Sequence, residues 1–379
     1  MPNIRQVSQN FKDDVLTTVQ GTLPKVDNST IGTGTAWTET QKILNEGIAA
    51  GSLFTTDITS TYALVYTALN TSTIYQGGVL SPSGDIHFVP RSANRGQKIS
   101  ASGVVSTYAL AYTTTDAYIG GVLAPNGDIH FVPLLAVRGQ KVSASGVAST
   151  YALAYTGSYA YQGGVLSRSG EIHFVPLFAP RGQKISAAGV ASTYALVYTT
   201  SLGAYSGGVL ASNGEIHFVP NYTPVGQKIS TAGVVSTYSL VYTTNNAYSG
   251  GVLSPNGDIH FVPYNATLGQ KISSAGVVST YALTYTTTAA YGSGVLAPNG
   301  DIHFVPNNAT VGQKISSAGV VSTYALAYTT VYAYFGGVLG LNGDIHFITN
   351  TAPRGQMINK NSGMNFDNGT CLHSHFNKF

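Results

Sequence analysis

The sequence predicts an all-β fold, a seven-bladed β-propeller with four-stranded blades, and three observations predict it. A block Gly-Gly-Val-Leu-x-x-x-Gly-Asp/Glu-Ile-His-Phe recurs seven times, with Gly292-Ser293-Gly294 as its one small departure. Its histidines follow one another at 43 or 44 residues from His87 to His346, a period that fits four strands per blade. The array begins on an outer-strand motif and leaves on a third-strand motif, so its two ends can complete one blade between them.

Each element follows from local chemistry, taken here from the second repeat. Gly120-Gly121-Val122-Leu123-Ala124 is a short apolar strand, and Pro125-Asn126-Gly127 is a tight turn because Asn-Gly supplies positive φ. Asp128-Ile129-His130-Phe131-Val132 is the second strand, and Pro133 ends its pairing. Gln140 to Ser143 gives a short third strand. Tyr151-Ala-Leu-Ala-Tyr-Thr156 alternates large and small side chains and is expected as the fourth. No helical periodicity appears between Ser60 and Ile358. An open stack of such units would need polar caps, and none is visible. Pairing Tyr62 to Thr67 with Gln356 to Ile358 instead closes the ring and leaves no free edge.

Three segments result: an N-terminal arm over 1–57, the propeller over 58–359 and a C-terminal tail over 360–379. Ile4, Val7, Phe11 and Val15 recur at helical spacing, and Thr38 with Gln41 forms a capping-box pattern ahead of Ile43, Leu44 and Ile48. The arm is therefore expected to be partly helical, and to dock on the ring, on other copies or on a larger assembly. In the tail, His373 and His375 point the same way on an extended chain. Three chains around a threefold axis would bring six imidazoles to a metal. A frayed terminus is the plainer reading.

Composition removes several classes. Lys and Arg number 18 against 15 Asp and Glu, for a net charge of +3 without a basic run, so nucleic acid is not an expected partner. No window has the roughly 18 uninterrupted apolar residues of a membrane span, and residues 1–14 do not resemble a secretion signal. The lone Cys371 has no partner for a disulfide within the chain. The 43% hydrophobic content argues against disorder.

Seven Asp/Glu–x–His pairs are the most chemical feature: Asp85/His87, Asp128/His130, Glu171/His173, Glu215/His217, Asp258/His260, Asp301/His303 and Asp344/His346. On a strand, i and i+2 share a face, and lysines 98, 141, 184, 228, 271 and 314 lie on the neighbouring strand, with Met357 in the seventh copy. Near-identical groups in every blade point to buried inter-blade hydrogen bonding rather than one catalytic centre. No cofactor is expected. The tyrosines before each Gly-Gly, Tyr75, Tyr118, Tyr161, Tyr205, Tyr248, Tyr291 and Tyr334, either pack between blades or ring the channel mouth as stacking surfaces for a sugar.

The copies differ mostly in their second-to-third and fourth-to-first connections, which emerge on one face of the ring. Diversity on one face suits a recognition surface, and drift in exposed loops gives the same pattern.

The repeat Gly-Gly-Val-Leu-Ala-Pro-Asn-Gly-Asp-Ile-His-Phe-Val-Pro, followed in copies such as the sixth by Asn308-Ala-Thr-x-Gly-Gln-Lys314, resembles repeats of propeller proteins from tailed phages, notably marine and cyanobacterial ones, and from some large viruses. The resemblance covers about 300 residues. It implies a virion component exposed on the particle, in a fibre, spike or other host-attachment appendage. The arm and tail carry no matching motif; separately, other virion proteins met through the arm and a glycan on the host surface are the expected partners. The sequence reading is accordingly a structural or attachment protein and not an enzyme, with a free-standing carbohydrate-binding propeller as the alternative.

Overall fold

The structure is a computed structural model that describes residues 58–67 and 73–359. Among the described residues there are 28 strands, no helix, and seven four-stranded antiparallel sheets. The first sheet shows the plan, with Tyr75–Leu80 innermost, then Ile86–Pro90, Arg95–Ile99 and Val105–Ala109. Each sheet is a blade, and the chain here forms a seven-bladed propeller. The arm and the tail, with His373 and His375, lie outside the described residues.

The seventh blade is composite. Its three inner strands are Tyr334–Leu339, Ile345–Thr349 and Arg354–Asn359, and its outer strand is Ile58–Ala63. Closure is therefore as expected in kind but shifted in register: Thr61 opposes Gln356 and Tyr62 opposes Gly355. The reason is the same in every blade. In the second, the outer strand is Ala148–Tyr151 and ends where the alternating run begins. Leu153 and Tyr155 still turn inward and pack on the next blade's core, but the segment has left the sheet. Its backbone N–H groups are met by a side chain instead of a strand. The Tyr155 amide donates to Oε1 of the next blade's Gln183 at 2.7 Å, and Tyr66 donates to Gln97 at 2.8 Å. Fully buried glutamines at 140, 227, 270, 313 and 356 do the same.

The core lies between blades rather than within one. Val122 and Val132 of the second blade pack with Tyr161, Ile172, Phe174 and Ile185 of the third, and Val338 and Ile348 of the seventh pack with Tyr75 and Phe88 of the first. Seven such layers make the ring continuous. The glycine of each Gly-Gln-Lys motif has a steric cause: a Cβ on Gly182 would stand 2.1 Å from the Tyr194 ring.

Two faces follow from the antiparallel order. The turn face carries the tight connections inside each blade from first to second and third to fourth strand. The loop face carries the other two. Ile58 pairs with Asn359, so the ring's two ends take the place of a third-to-fourth turn and sit on the turn face. On the loop face a backbone hydrogen-bond belt joins the blades: Ala117 N–H donates to Arg91, Leu134 to Ala117, Ala160 to Leu134 and Leu177 to Ala160, and the pattern recurs through Asn350 donating to Ala333.

Candidate functional site

The Asp/Glu–x–His pairs form a network, but within each blade rather than between blades. Lys98 Nζ donates to Asp85 Oδ2 at 2.6 Å, and Lys184 Nζ to Glu171 Oε1 at 2.8 Å, each joining second and third strands of one sheet. The Lys184 hydrogen bond holds Glu171 below the ordinary carboxylate range. Behind the ion pair, His87 Nδ1 lies 3.2 Å from the Tyr108 hydroxyl on the outer strand, and His130 Nδ1 lies 3.1 Å from that of Tyr151. Burial, with Lys98 second, pushes His87 down to about 4. Burial likewise raises Tyr108, so the hydrogen bond joins a neutral phenol and a neutral imidazole.

His303 corrects the expectation of bonding across blades most sharply. It is the most enclosed of the seven histidines, at 1% exposure, and its Nδ1 lies 3.4 Å from the hydroxyl of Tyr324, on the outer strand of its own blade. The two rings meet edge-on with centroids 5.5 Å apart, so this imidazole is a core group closed to any ligand. Beside it, Lys314 Nζ pairs with Asp301 Oδ2 at 3.2 Å, again within the sheet. The buried third-strand glutamines, by contrast, do bond across blades. The histidines sit on the second strand with their acids at the residue just before it, and their partners sit on the third and outer strands of the same sheet.

The closing blade is the exception. Met357 replaces the lysine, and Asn342 Nδ2 holds Asp344 Oδ2 at 2.7 Å. The Tyr62 and His346 rings meet edge-on with centroids 5.7 Å apart, yet neither the Tyr62 hydroxyl nor His346 Nδ1 has a hydrogen-bond partner among the described residues.

The seven tyrosines before Gly-Gly do not ring the channel. All are 0% exposed, and each lies in the core with its hydroxyl donating to a backbone carbonyl, as Tyr75 does to Arg95 at 2.8 Å. Their rings face the second-strand phenylalanines, Tyr75 to Phe88 at 5.5 Å. A ligand platform is excluded at these positions because no ring face is open.

The residue one step further along the inner strand takes that place in six of the seven blades. Gln76, Ile119, Gln162, Ser249, Gly292 and Phe335 line an axial cavity of about 210 Å3 together with Ser293 and the glycines that follow them. This is the one position of Tyr-x-Gly-Gly-Val-Leu that changes freely from copy to copy. Polar side chains here are tied into the ring: Gln162 Nε2 donates to Ser206 Oγ at 2.6 Å, and Ser249 Oγ to the Tyr291 carbonyl at 2.8 Å. Arg91, on the loop-face belt, reaches over to donate to Gln76 Oε1 at 2.6 Å while pairing with Asp116 at 2.6 Å. The signal for this ring was present in the sequence as variation inside a constant strand.

The loop face carries a second signal. Asp116, Tyr159, Asn246, Ala289 and Tyr332 occupy the same repeat position, and all have φ of 51–54°, a left-handed conformation common enough for Asp and Asn but unusual for Tyr and Ala. Around them the side chains divide by sector. Tyr159 and Phe178, each 39% exposed, meet edge-on at 6.2 Å, and Val137 and Leu202 in loop-face connections are also exposed. On the other side are amides: Asn246 Nδ2 donates to the Tyr222 hydroxyl at 2.9 Å, and Tyr332 N–H to Asn308 Oδ1 at 2.8 Å.

No family model matches the chain, and no curated protein does. Solved structures do. A streptogramin B lyase superposes with a TM-score of 0.68 at 22% identity, covering 79% of this chain and 97% of its own. A catalytically inactive virginiamycin B lyase from Staphylococcus aureus, solved with quinupristin, gives 0.69 at 17%, covering 80% and 99%. The WD40 propeller domain of Doa1 gives 0.58 at 14%, covering 80% and 98%. These likenesses establish the fold. They also correct the expectation that the chain is not an enzyme, since the same ring serves lyases. The physical flaw in that expectation lies on the axis: near-identical blades still bring side chains of unlike kinds to one place, so repetition does not preclude a single distinguished site.

Proposed function

We propose that this chain is a virion component that recognises a host surface, using the propeller as a rigid display or adhesion module of a fibre, spike or other appendage. The observation that carries the reading is the split between faces. Copy-to-copy differences gather on the loop face and the axis, while the ring's ends, Ile58 and Asn359, pair on the turn face. A ring held from its turn face presents its variable side outward, and loops on a rigid scaffold are where recognition is placed. The left-handed φ values at Tyr159, Ala289 and Tyr332 support it, since for such residues that conformation persists where the surroundings over-determine it and gathers at binding sites. The virion setting rests on the resemblance of the repeats to those of tailed phages.

The test is binding of the full chain to a glycan array and to bacterial and cyanobacterial cells, with variants of each face. Tyr159→Ser with Phe178→Ser should abolish saturable binding, and Val104→Ser with Val147→Ser on the turn face should leave it intact. Equal effects from both pairs, or no binding by the parent chain, would contradict the reading. Recovery of the chain's peptides from purified particles separates the virion component from a free-standing carbohydrate-binding propeller.

A further inference from the structure

We infer that the axial cavity is a single binding site for one neutral sugar residue, such as the terminal residue of a glycan. This rests on the recognition reading and deepens it by naming the ligand and its place. Three observations converge on it. The lining contains no acidic, basic or histidine side chain, and the Arg91 guanidinium, which reaches the lining residue Gln76, is already paired with Asp116. An ionic ligand would find no counter-charge there, and burying one unpaired is costly. The wall is nonetheless polar: the internal bonds engage Gln76 through Oε1, Gln162 through Nε2 and Ser249 through its donated proton. Ser293 adds a hydroxyl with no hydrogen-bond partner among the described residues, and the backbone of the glycine collar completes it. Among these lining residues Phe335 is the one aromatic, and it is half-buried, so part of its surface faces open space. A pyranose has this complement: hydroxyls around its rim and an apolar face that packs on an aromatic ring.

Size and symmetry narrow the choice. A volume of about 210 Å3 is below the roughly 300–1,000 Å3 of sites for drug-sized ligands, so it suits one ring rather than a chain of sugars. The lining varies from blade to blade, and Phe335 enters it from one blade alone, so the site is asymmetric and occurs once per molecule. Seven equivalent weak sites, the arrangement that blade repetition suggests, are not what this axis offers.

Calorimetric titration of the full chain with glucose, galactose, mannose and N-acetylglucosamine tests this, with glucuronate and N-acetylneuraminate as charged arms. The expected result is saturation by a neutral sugar at one per chain, weakened about tenfold or more by Phe335→Ala. Gln162→Leu provides a second variant, and melting temperatures of both identify any loss due to misfolding. Seven sites per chain, binding of the charged sugars alone, no saturation by any sugar, or indifference to both variants would overturn the inference. Cell binding separates it from the broader reading. If cells are bound and loop-face variants abolish that binding while both axial variants spare it, recognition stands and the axial sugar site falls.

Discussion

Gly163 and Ser293 occupy the same repeat position in different blades, and the comparison explains why one copy tolerates a side chain. At Gly163 φ is +81°, and a Cβ would stand 3.0 Å from the Gly207 Cα of the next blade. Ser293 is not among the positive-φ residues, and its strand gains a ladder pair with Val305. Gly163→Ala should therefore cost about 1–3 kcal/mol, and Ser293→Gly no more than about 1 kcal/mol, as read from urea midpoints. The buried histidines give a pH dependence. His87, His130, His173, His217 and His260 bind a proton near 6.5 when unfolded and near 4 when folded, because burial disfavours the charged ring. Their stabilisation is thus complete above about pH 6.5 and is lost progressively as pH falls from there through about 4. His217→Gln should reduce that slope by up to about 1.4 kcal/mol per pH unit. A melting-temperature profile over pH 4–7 that is flat, or unchanged by the substitution, would contradict it. The pairing of acid with histidine was legible from i, i+2 spacing. That the partners of His87 or His303 lie inside one blade was not, since strand period gives a face and not the neighbour behind it.

At the scale of the strand, alternation identified the elements and misplaced one boundary. Tyr151, Leu153 and Tyr155 alternate as a strand should, but only Tyr151 is in the sheet. Sequence period reports which side chains turn inward, and it is blind to whether a strand or a glutamine meets the amides. Replacing that glutamine tests the point: Gln183→Leu leaves the Tyr155 N–H unpaired and should destabilise by about 1–3 kcal/mol. The shift also relocates the closure. Deleting 58–63 should expose the Arg354–Asn359 edge and cause aggregation, measurable by light scattering. A monomer with unchanged melting temperature would disprove the composite blade.

Across the whole molecule, two kinds of position coexist in every repeat. Constant ones build the layers between blades, and the histidine, lysine and glutamine networks belong to them. Variable ones collect at the axis and on the loop face, which became visible only when the ring brought residues such as Gln76 and Phe335 into one cavity. No local pattern encodes that convergence, because the residues concerned are separated by whole blades. Repetition therefore made the fold legible while disguising the candidate site, whose identity lies in the departures from the repeat.

The most direct test is a homogenised ring, in which every loop-face and axial residue that differs between copies is replaced by its counterpart from a single repeat. Its binding to the cells or glycans recognised by the parent chain would be measured beside its melting temperature. The account predicts a folded ring of near-parental stability that no longer binds. Full binding by the homogenised ring would contradict it, because recognition would then belong to the constant residues.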